Sequence, residues 1–240
     1  MAVFLAVGNF ACRRGSSRNA NANGEATSSE GESAADKSKR EAQALVDQGK
    51  ELYKNDQDEQ AAQAFQEALR LSPDLAEAHL RLGMAYAALD KKTEADDSYK
   101  KAVELYKKRV QLDPKDAQSF FYLGQAHSLL HQDEEATRAL RQATRLKPDD
   151  EEAFYQLGMA ETRLAHYPEA ISAFQKALEL DPNDYRATDA FETAQEGAKR
   201  IKEGKKHAEE MLKKQQENAN ANANAKSNTK SVPKRSPSKP

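Results

Sequence analysis

One repeating pattern of small, large and proline residues runs through the middle of this chain. Gly49, Gly83, Gly124 and Gly158 are separated by 34, 41 and 34 residues. Three further sets keep these separations: Ala61, Ala95, Ala136 and Ala170; Phe65, Tyr99, Leu140 and Phe174; Ala68, Ala102, Ala143 and Ala177. A set of prolines follows with separations of 41, 34 and 34 residues: Pro73, Pro114, Pro148 and Pro182. Self-similarity at this period predicts a helical solenoid.

Each repeat has the pattern of two antiparallel helices. Its apolar residues recur three and four positions apart, and the break between the two periodic stretches is short and polar. The glycine and the first alanine lack bulk, so the two helices can approach closely, and the large residue fills the space beside them. Each proline has a fixed φ and no backbone N–H, so the second helix should end just before it. One hairpin cannot bury its own apolar face, whereas four stacked hairpins form a continuous core.

Over roughly residues 42–184 this pattern resembles the tetratricopeptide repeat (TPR) family. The resemblance implies an all-α, right-handed TPR solenoid of helical hairpins. We predict four repeats and a capping helix with a charged extension, at 36–75, 76–116, 117–150, 151–184 and 185–217. Residues 13–35 and 218–240 contain almost nothing to bury, so we expect a disordered linker and a disordered basic tail.

Seven added residues lie between Ala102 and Pro114, in the second helix of the second repeat. They resemble a duplicated heptad, and seven residues are nearly two helical turns with a drift of only about 20°. We therefore predict one uninterrupted helix from about Thr93 to Leu112. The added turns should overhang the neighbouring helices and carry a basic cluster, Lys107, Lys108 and Arg109.

The resemblance also implies where a partner binds, because the family holds an extended or helical peptide on the concave face lined by the first helix of each repeat. The matching positions lie three before and one, four and five after each glycine. From them we predict the partner-binding groove: Val46, Lys50, Tyr53, Leu80, Met84, Phe121, Gln125, Tyr155, Met159 and Arg163. Packing of Leu80 between repeats is an equal alternative. At the positions of the co-chaperone carboxylate clamp only Lys50 and Arg81 are cationic, which disfavours that activity.

The remaining motifs give no sign of catalysis. A single cysteine excludes an internal disulfide and a cysteine-based metal site. No Gly-rich phosphate loop, HExxH motif or nucleophile elbow is present. The acidic run at 149–152 begins a helix, where negative charge complements the helix dipole. We therefore expect no catalytic residue, no cofactor and no metal, and a protein or peptide as the ligand of a non-catalytic scaffold.

Residues 1–12 are apolar and end in the only cysteine, Cys12. The stretch is too short to span a bilayer but has the length of a signal-peptide core. Ala11 directly before Cys12 resembles the lipobox of bacterial lipoproteins, which implies acylation of Cys12 and membrane anchoring in a bacterial cell envelope. No positive charge precedes the apolar core, and Asn9 and Phe10 match the pattern poorly. A soluble cytosolic adaptor is the alternative.

The net charge of −2 hides a strong asymmetry. Residues 199–240 carry twelve Lys and Arg against four Asp and Glu, a net of +8, so the rest of the chain carries −10. A basic tail on an acidic body suits contact with an anionic surface, or it simply keeps the protein soluble. Nothing indicates specific nucleic-acid binding.

Overall fold

The computed structural model describes residues 33–229, and this part of the chain is helical without strands. Its helices are α1 (Ala34–Lys54), α2 (Asp58–Leu71), α3 (Ala76–Ala88), α4 (Lys92–Leu112), α5 (Ala117–Leu129), α6 (Asp133–Leu146), α7 (Glu151–Arg163), α8 (Tyr167–Leu180) and α9 (Tyr185–Thr229). The first eight form four hairpins, α1–α2, α3–α4, α5–α6 and α7–α8, and each hairpin packs on the next. The predicted all-α solenoid of four repeats and a C-terminal helix is confirmed.

The repeated glycines are the points at which the two helices of each hairpin touch. A Cβ atom placed on any of the four would lie 2.5 or 2.6 Å from the side chain sixteen residues later, which is Phe65, Tyr99, Leu140 or Phe174. These large side chains are themselves buried. The glycine on the first helix leaves room for the large side chain on the second. The two residues together set the distance between the helices, as the sequence predicts.

All four hairpins turn in the same way. The residue that follows the first helix by two positions has a left-handed backbone, with φ of 57°, 57°, 56° and 57° at Asp56, Asp90, His131 and Ala165. The next backbone N–H then returns to a carbonyl of the last helical turn, as in Gln57 N to Leu52 O at 3.0 Å. This is the six-to-one bond of a Schellman motif, and it reverses the chain within three residues.

The lengthened helix α4 runs without a break from Lys92 to Leu112, which confirms the uninterrupted helix. The added turns do not overhang freely, however. Leu105 and Tyr106 are buried, and the Tyr106 ring lies 5.6 Å from the Tyr122 ring of α5. The predicted overhang is therefore wrong for these two residues. The chain enters α5 only beyond the added turns of α4, so α5 packs along those turns.

Both ends of the helical region extend past the predicted bounds. α1 begins at Ala34, and the Ser33 hydroxyl accepts a hydrogen bond from the Asp36 backbone N–H. α9 extends to Thr229, twelve residues past the predicted bound of the capping helix and its charged extension at 217. Residues 1–32 and 230–240 lie outside the described residues. The acidic run at 149–152 has the predicted capping role, because Asp150 is the N-cap of α7 and accepts from the Ala153 N–H.

Candidate functional site

The solenoid curves toward its first helices. α1 contacts α3, α5 contacts α7, and α7 contacts α9, whereas consecutive second helices do not come comparably close within residues 33–229. Of the neighbouring first helices, α3 and α5 make the least contact, and they are the pair that the lengthened hairpin α3–α4 joins to the next repeat. The inner surface, meaning the exposed side of α1, α3, α5, α7 and the start of α9, is thus divided into an N-terminal and a C-terminal half.

Two of the predicted groove residues are corrected by the structure. Val46 and Leu80 are 0% exposed and lie in the hydrophobic core. They stand three positions before a glycine, on the side of the first helix that the next hairpin covers. A partner cannot reach them without opening the core, so they are packing residues.

Lys50, Tyr53 and Met84 meet on the N-terminal half. Together with Lys54, Phe65 and Arg81 they line a pocket of about 140 Å³. Its cations are already paired: Lys50 Nζ lies 2.8 Å from Asp47 Oδ1 and 3.3 Å from Glu77 Oε1. The hydrogen bond with Asp47 raises the pKa of Lys50. The pocket is small and its charge is balanced by its own neighbours.

The predicted residues of α5 are largely occupied by contacts within the protein. Phe121 packs on the core between α6 and α7, and its ring lies 5.3 Å from the Tyr122 ring. Gln125 is half-buried, and its Oε1 has no hydrogen-bond donor. Arg163, at the end of α7, is tied to the preceding hairpin through Asp133 and Ser128. Phe121 and Arg163 thus connect repeats at the middle of the inner surface.

The larger inner pocket, called here the C-terminal pocket, has a volume of about 520 Å³. It is lined by two of the predicted residues and by residues of α9: Tyr155, Met159, Thr162, Tyr185, Arg186, Asp189, Ala190 and Thr193. Tyr185 is 80% exposed, which is unusual for so large an aromatic side chain. The pocket therefore combines an exposed aromatic ring with a flexible methionine on an open concave surface.

The sequence prediction missed the α9 wall of this pocket. Asp189 and Thr193 stand 34 residues after Tyr155 and Met159, so the repeat spacing itself carries the signal. Position 192, where a fifth repeat would need a glycine, is a glutamate. The sequence therefore predicts only that this helix caps the core. In the structure its first turns also continue the inner surface.

One arginine organises the charges around the C-terminal pocket. Arg186 Nη2 lies 2.9 Å from Asp184 Oδ2 and 3.0 Å from Glu152 Oε2, and its guanidinium stacks 4.7 Å from the centroid of the Tyr155 ring. The Tyr155 ring in turn lies 6.0 Å from that of Phe174 in the core. Arg186 thus fixes Tyr155 and is neutralised by two carboxylates.

A third carboxyl group, Glu151, lies against Asp184. Burial and a hydrogen bond with Asp184 raise the pKa of Glu151 from 4.5 to about 7. The hydrogen bond from Arg186 lowers the pKa of Asp184 to about 2. At neutral pH Glu151, at this junction of α7 and α9, is therefore only partly ionised.

We expect Glu151→Gln to reduce the pH dependence of stability. A raised pKa means that the folded state binds more protons, so the free energy of unfolding falls as pH rises from about 4.5 to 7. The pKa of Asp184 lies below this pH range, so Asp184 does not contribute to the change. Glu151 is partly solvated, so the effect should be small. The decrease in melting temperature from pH 5 to pH 8 should be only about 2–4 °C smaller in the variant than in the wild type. Thermal unfolding at both pH values measures this, and equal losses in the two proteins would contradict the raised pKa of Glu151.

Larger cavities lie elsewhere. One of about 730 Å³ opens between α6 and α8 on the outer side. At its base Glu161 is buried but paired, through Arg141 at 2.5 Å and His166 at 3.0 Å. The negative charge of Glu161 is thus already balanced within the protein.

Within the described residues there is no cluster of three or more His, Cys, Asp or Glu side chains suited to a metal ion. No helix in the same part of the chain has the length and apolar character needed to cross a bilayer.

Comparisons with known proteins agree on the repeat type. Residues 49–90 match the family model "TPR repeat", residues 76–109 match "Tetratricopeptide repeat", and residues 96–177 match "Anaphase-promoting complex, cyclosome, subunit 3". No curated protein sequence matches the chain.

Among solved structures, pilF of Pseudomonas aeruginosa is similar with 23% identity and a TM-score of 0.51, over 67% of this chain and 72% of that one. The Cut9–Hcn1 hetero-tetramer of APC/C is similar with 19% identity and a TM-score of 0.51, over 64% of this chain and 30% of that one. The MamA protein matches with 25% identity and a TM-score of 0.47, over 75% of this chain and 95% of that one. The first two likenesses support the fold alone.

Proposed function

We propose that this chain of tetratricopeptide repeats is a non-catalytic scaffold, and that it binds a peptide segment of a partner protein on its inner surface. The fold is of the protein-interaction type. The observation that carries the proposal is the C-terminal pocket, where Tyr185 is 80% exposed beside Tyr155 and Met159. Aromatic side chains in open pockets are the commonest anchors of protein interfaces, and methionine adapts to varied partners.

Replacing Tyr185 with serine should weaken peptide binding by about tenfold or more, because the variant loses an exposed aromatic anchor. The fold should be unaffected, since the ring is 80% exposed and contributes little to the core. Peptides selected from a displayed random library against the full chain supply the ligand, and fluorescence anisotropy measures the Kd.

Leu112→Ser is a matched control for this experiment. Leu112 is 87% exposed, so it is also a large apolar side chain in contact with water, but it lies at the end of α4 away from the pocket. Its replacement should leave the Kd unchanged. Selected peptides that bind the wild type and the Tyr185→Ser variant equally well would refute binding in this pocket.

We further propose that Cys12 attaches the protein to a bacterial envelope membrane. The residue lies outside the described part of the chain, and the support is its sequence context: an apolar stretch of signal-peptide length with Ala11 directly before the cysteine. Stable attachment needs two or more acyl chains, since one chain binds a membrane only marginally.

Cys12→Ser should abolish processing and acylation in the native host. The variant should keep residues 1–11 and take up no fatty-acid probe, whereas the wild type should be shortened and labelled. Mass spectrometry of both proteins measures the difference. An intact Met1 with a free Cys12 thiol in the wild type would leave the soluble adaptor as the function of the same repeat domain.

A further inference from the structure

The C-terminal pocket has an excess of negative charge. Arg186 is the only cation among the described residues that line it, and that charge is already neutralised by Asp184 and Glu152. Asp189 lines the same pocket, and no ion pair of Asp189 is recorded among the described residues. A ligand with positive side chains would therefore complete the electrostatics of the pocket, and an acidic ligand would be repelled.

The aromatic lining of the pocket suits the same ligand. The Tyr185 ring is 80% exposed, and an aromatic face attracts a lysine or arginine cation within about 6 Å of its centre. Proline rings also pack on exposed aromatic side chains, as in the recognition of proline-rich segments. The pocket thus fits a segment that contains both cationic residues and prolines.

This chain contains such a segment. Residues 230–240 (KSVPKRSPSKP) carry four cations, no acidic residue and three prolines. The wider charge distribution agrees, because residues 199–240 have a net charge of +8 and the rest of the chain has −10. The C-terminal segment and the pocket are therefore complementary in both charge and side-chain type.

The segment cannot reach the pocket of its own chain. Thr193 is the last pocket residue on α9, and the helix continues for 36 residues to Thr229. At a rise of 1.5 Å per residue this is about 54 Å. The eleven residues that follow can span at most about 40 Å when fully extended. Residues 230–240 are thus too few to return from Thr229 to the pocket of their own chain.

We propose that the C-terminal pocket binds residues 230–240 of a second copy of this chain. This inference rests on the proposed function, since it names a ligand for the same pocket. The pocket of one copy takes the tail of the next, so the contact is heterologous and extends head to tail. Because the attraction is between exposed charges, it weakens as salt rises.

Sedimentation velocity on the full chain tests this proposal, with Cys12→Ser in every protein so that neither acyl chains nor a disulfide contributes. The average mass should rise with protein concentration at 50 mM salt and fall to that of the monomer at 500 mM. A pocket variant, Asp189→Lys, and a tail variant, Lys234→Ser with Arg235→Ser, should each be monomeric alone. Mixed in equal amounts they should form a 1:1 dimer that does not grow, since only one functional pocket and one functional tail remain.

A synthetic peptide of residues 226–240 should also bind the full chain and dissociate its assemblies, and Asp189→Lys should lower its affinity at least tenfold. Asp97→Lys is the matched control, because Asp97 is an exposed carboxylate on α4 outside the pocket. A wild type that stays monomeric at low salt, or an assembly that Asp189→Lys leaves intact, overturns the inference. If library peptides still bind through Tyr185 in that case, the proposed function stands without it.

Discussion

Replacing Tyr106 with alanine should lower the free energy of unfolding by about 3–5 kcal/mol, the cost of deleting a buried aromatic side chain. Tyr106 is 1% exposed and is among the largest fully buried side chains of the described chain. Its ring packs against Tyr122 of α5, so the substitution opens a cavity between the added turns of α4 and the third hairpin. Urea unfolding followed by circular dichroism measures the loss.

Tyr106→Phe separates the ring from its hydroxyl group. The Tyr106 Oη is buried and has no hydrogen-bond partner among the described residues, so its removal should leave stability unchanged or raise it by about 1 kcal/mol. Tyr86→Phe is the matched control, because the Tyr86 hydroxyl accepts a hydrogen bond from Gln66 Nε2 at 2.6 Å. That variant should lose up to about 1 kcal/mol. If Tyr106→Phe is the more destabilising of the two, the assignment of an unpaired hydroxyl group at Tyr106 is wrong.

Gly158→Val should destabilise the protein by about 3 kcal/mol, because extra methyl groups would be forced into a filled core. A Cβ at this position would lie 2.6 Å from the Phe174 ring, and that ring is 0% exposed and cannot turn away. A domain of this size should then melt about 6–12 °C lower, as differential scanning calorimetry would show.

Gly204→Val supplies the control for Gly158→Val. Gly204 also lies within a helix, but a Cβ there would meet nothing within 4 Å. Valine has a slightly better helix propensity than glycine, so this variant should be as stable as the wild type or more stable by a few tenths of a kcal/mol. Equal losses at both sites would mean that backbone freedom, and not contact with Phe174, explains the repeated glycines.

The hairpins could be predicted from the sequence because they depend on local spacing and residue size. Gly158 and Phe174 lie sixteen residues apart in the chain, and their contact needs only two helices and a short turn. The uninterrupted α4 was predictable for a similar reason, since a heptad returns to nearly the same face of a helix.

The candidate site was only partly predictable. Lys50, Met84, Tyr155 and Met159 were assigned to the inner surface, and they do line its pockets. Leu80 and Met84 are both apolar and lie one turn apart on α3, yet Leu80 is fully buried and Met84 is half-buried. Their spacing alone does not show which of the two faces the next hairpin.

The sequence by itself determined the number of repeats, the helix pairs within them and their closest contacts, because each of these follows from residue spacing along one hairpin or from its recurrence in the next. Only the tertiary structure decided that Val46 and Leu80 belong to the core, that α5 covers the added turns of α4, and that Tyr185 and Asp189 complete a pocket with α7. These features depend on how far one hairpin is rotated and shifted against the next. That relation is set by packing between side chains distant in the chain, so the local pattern does not contain it.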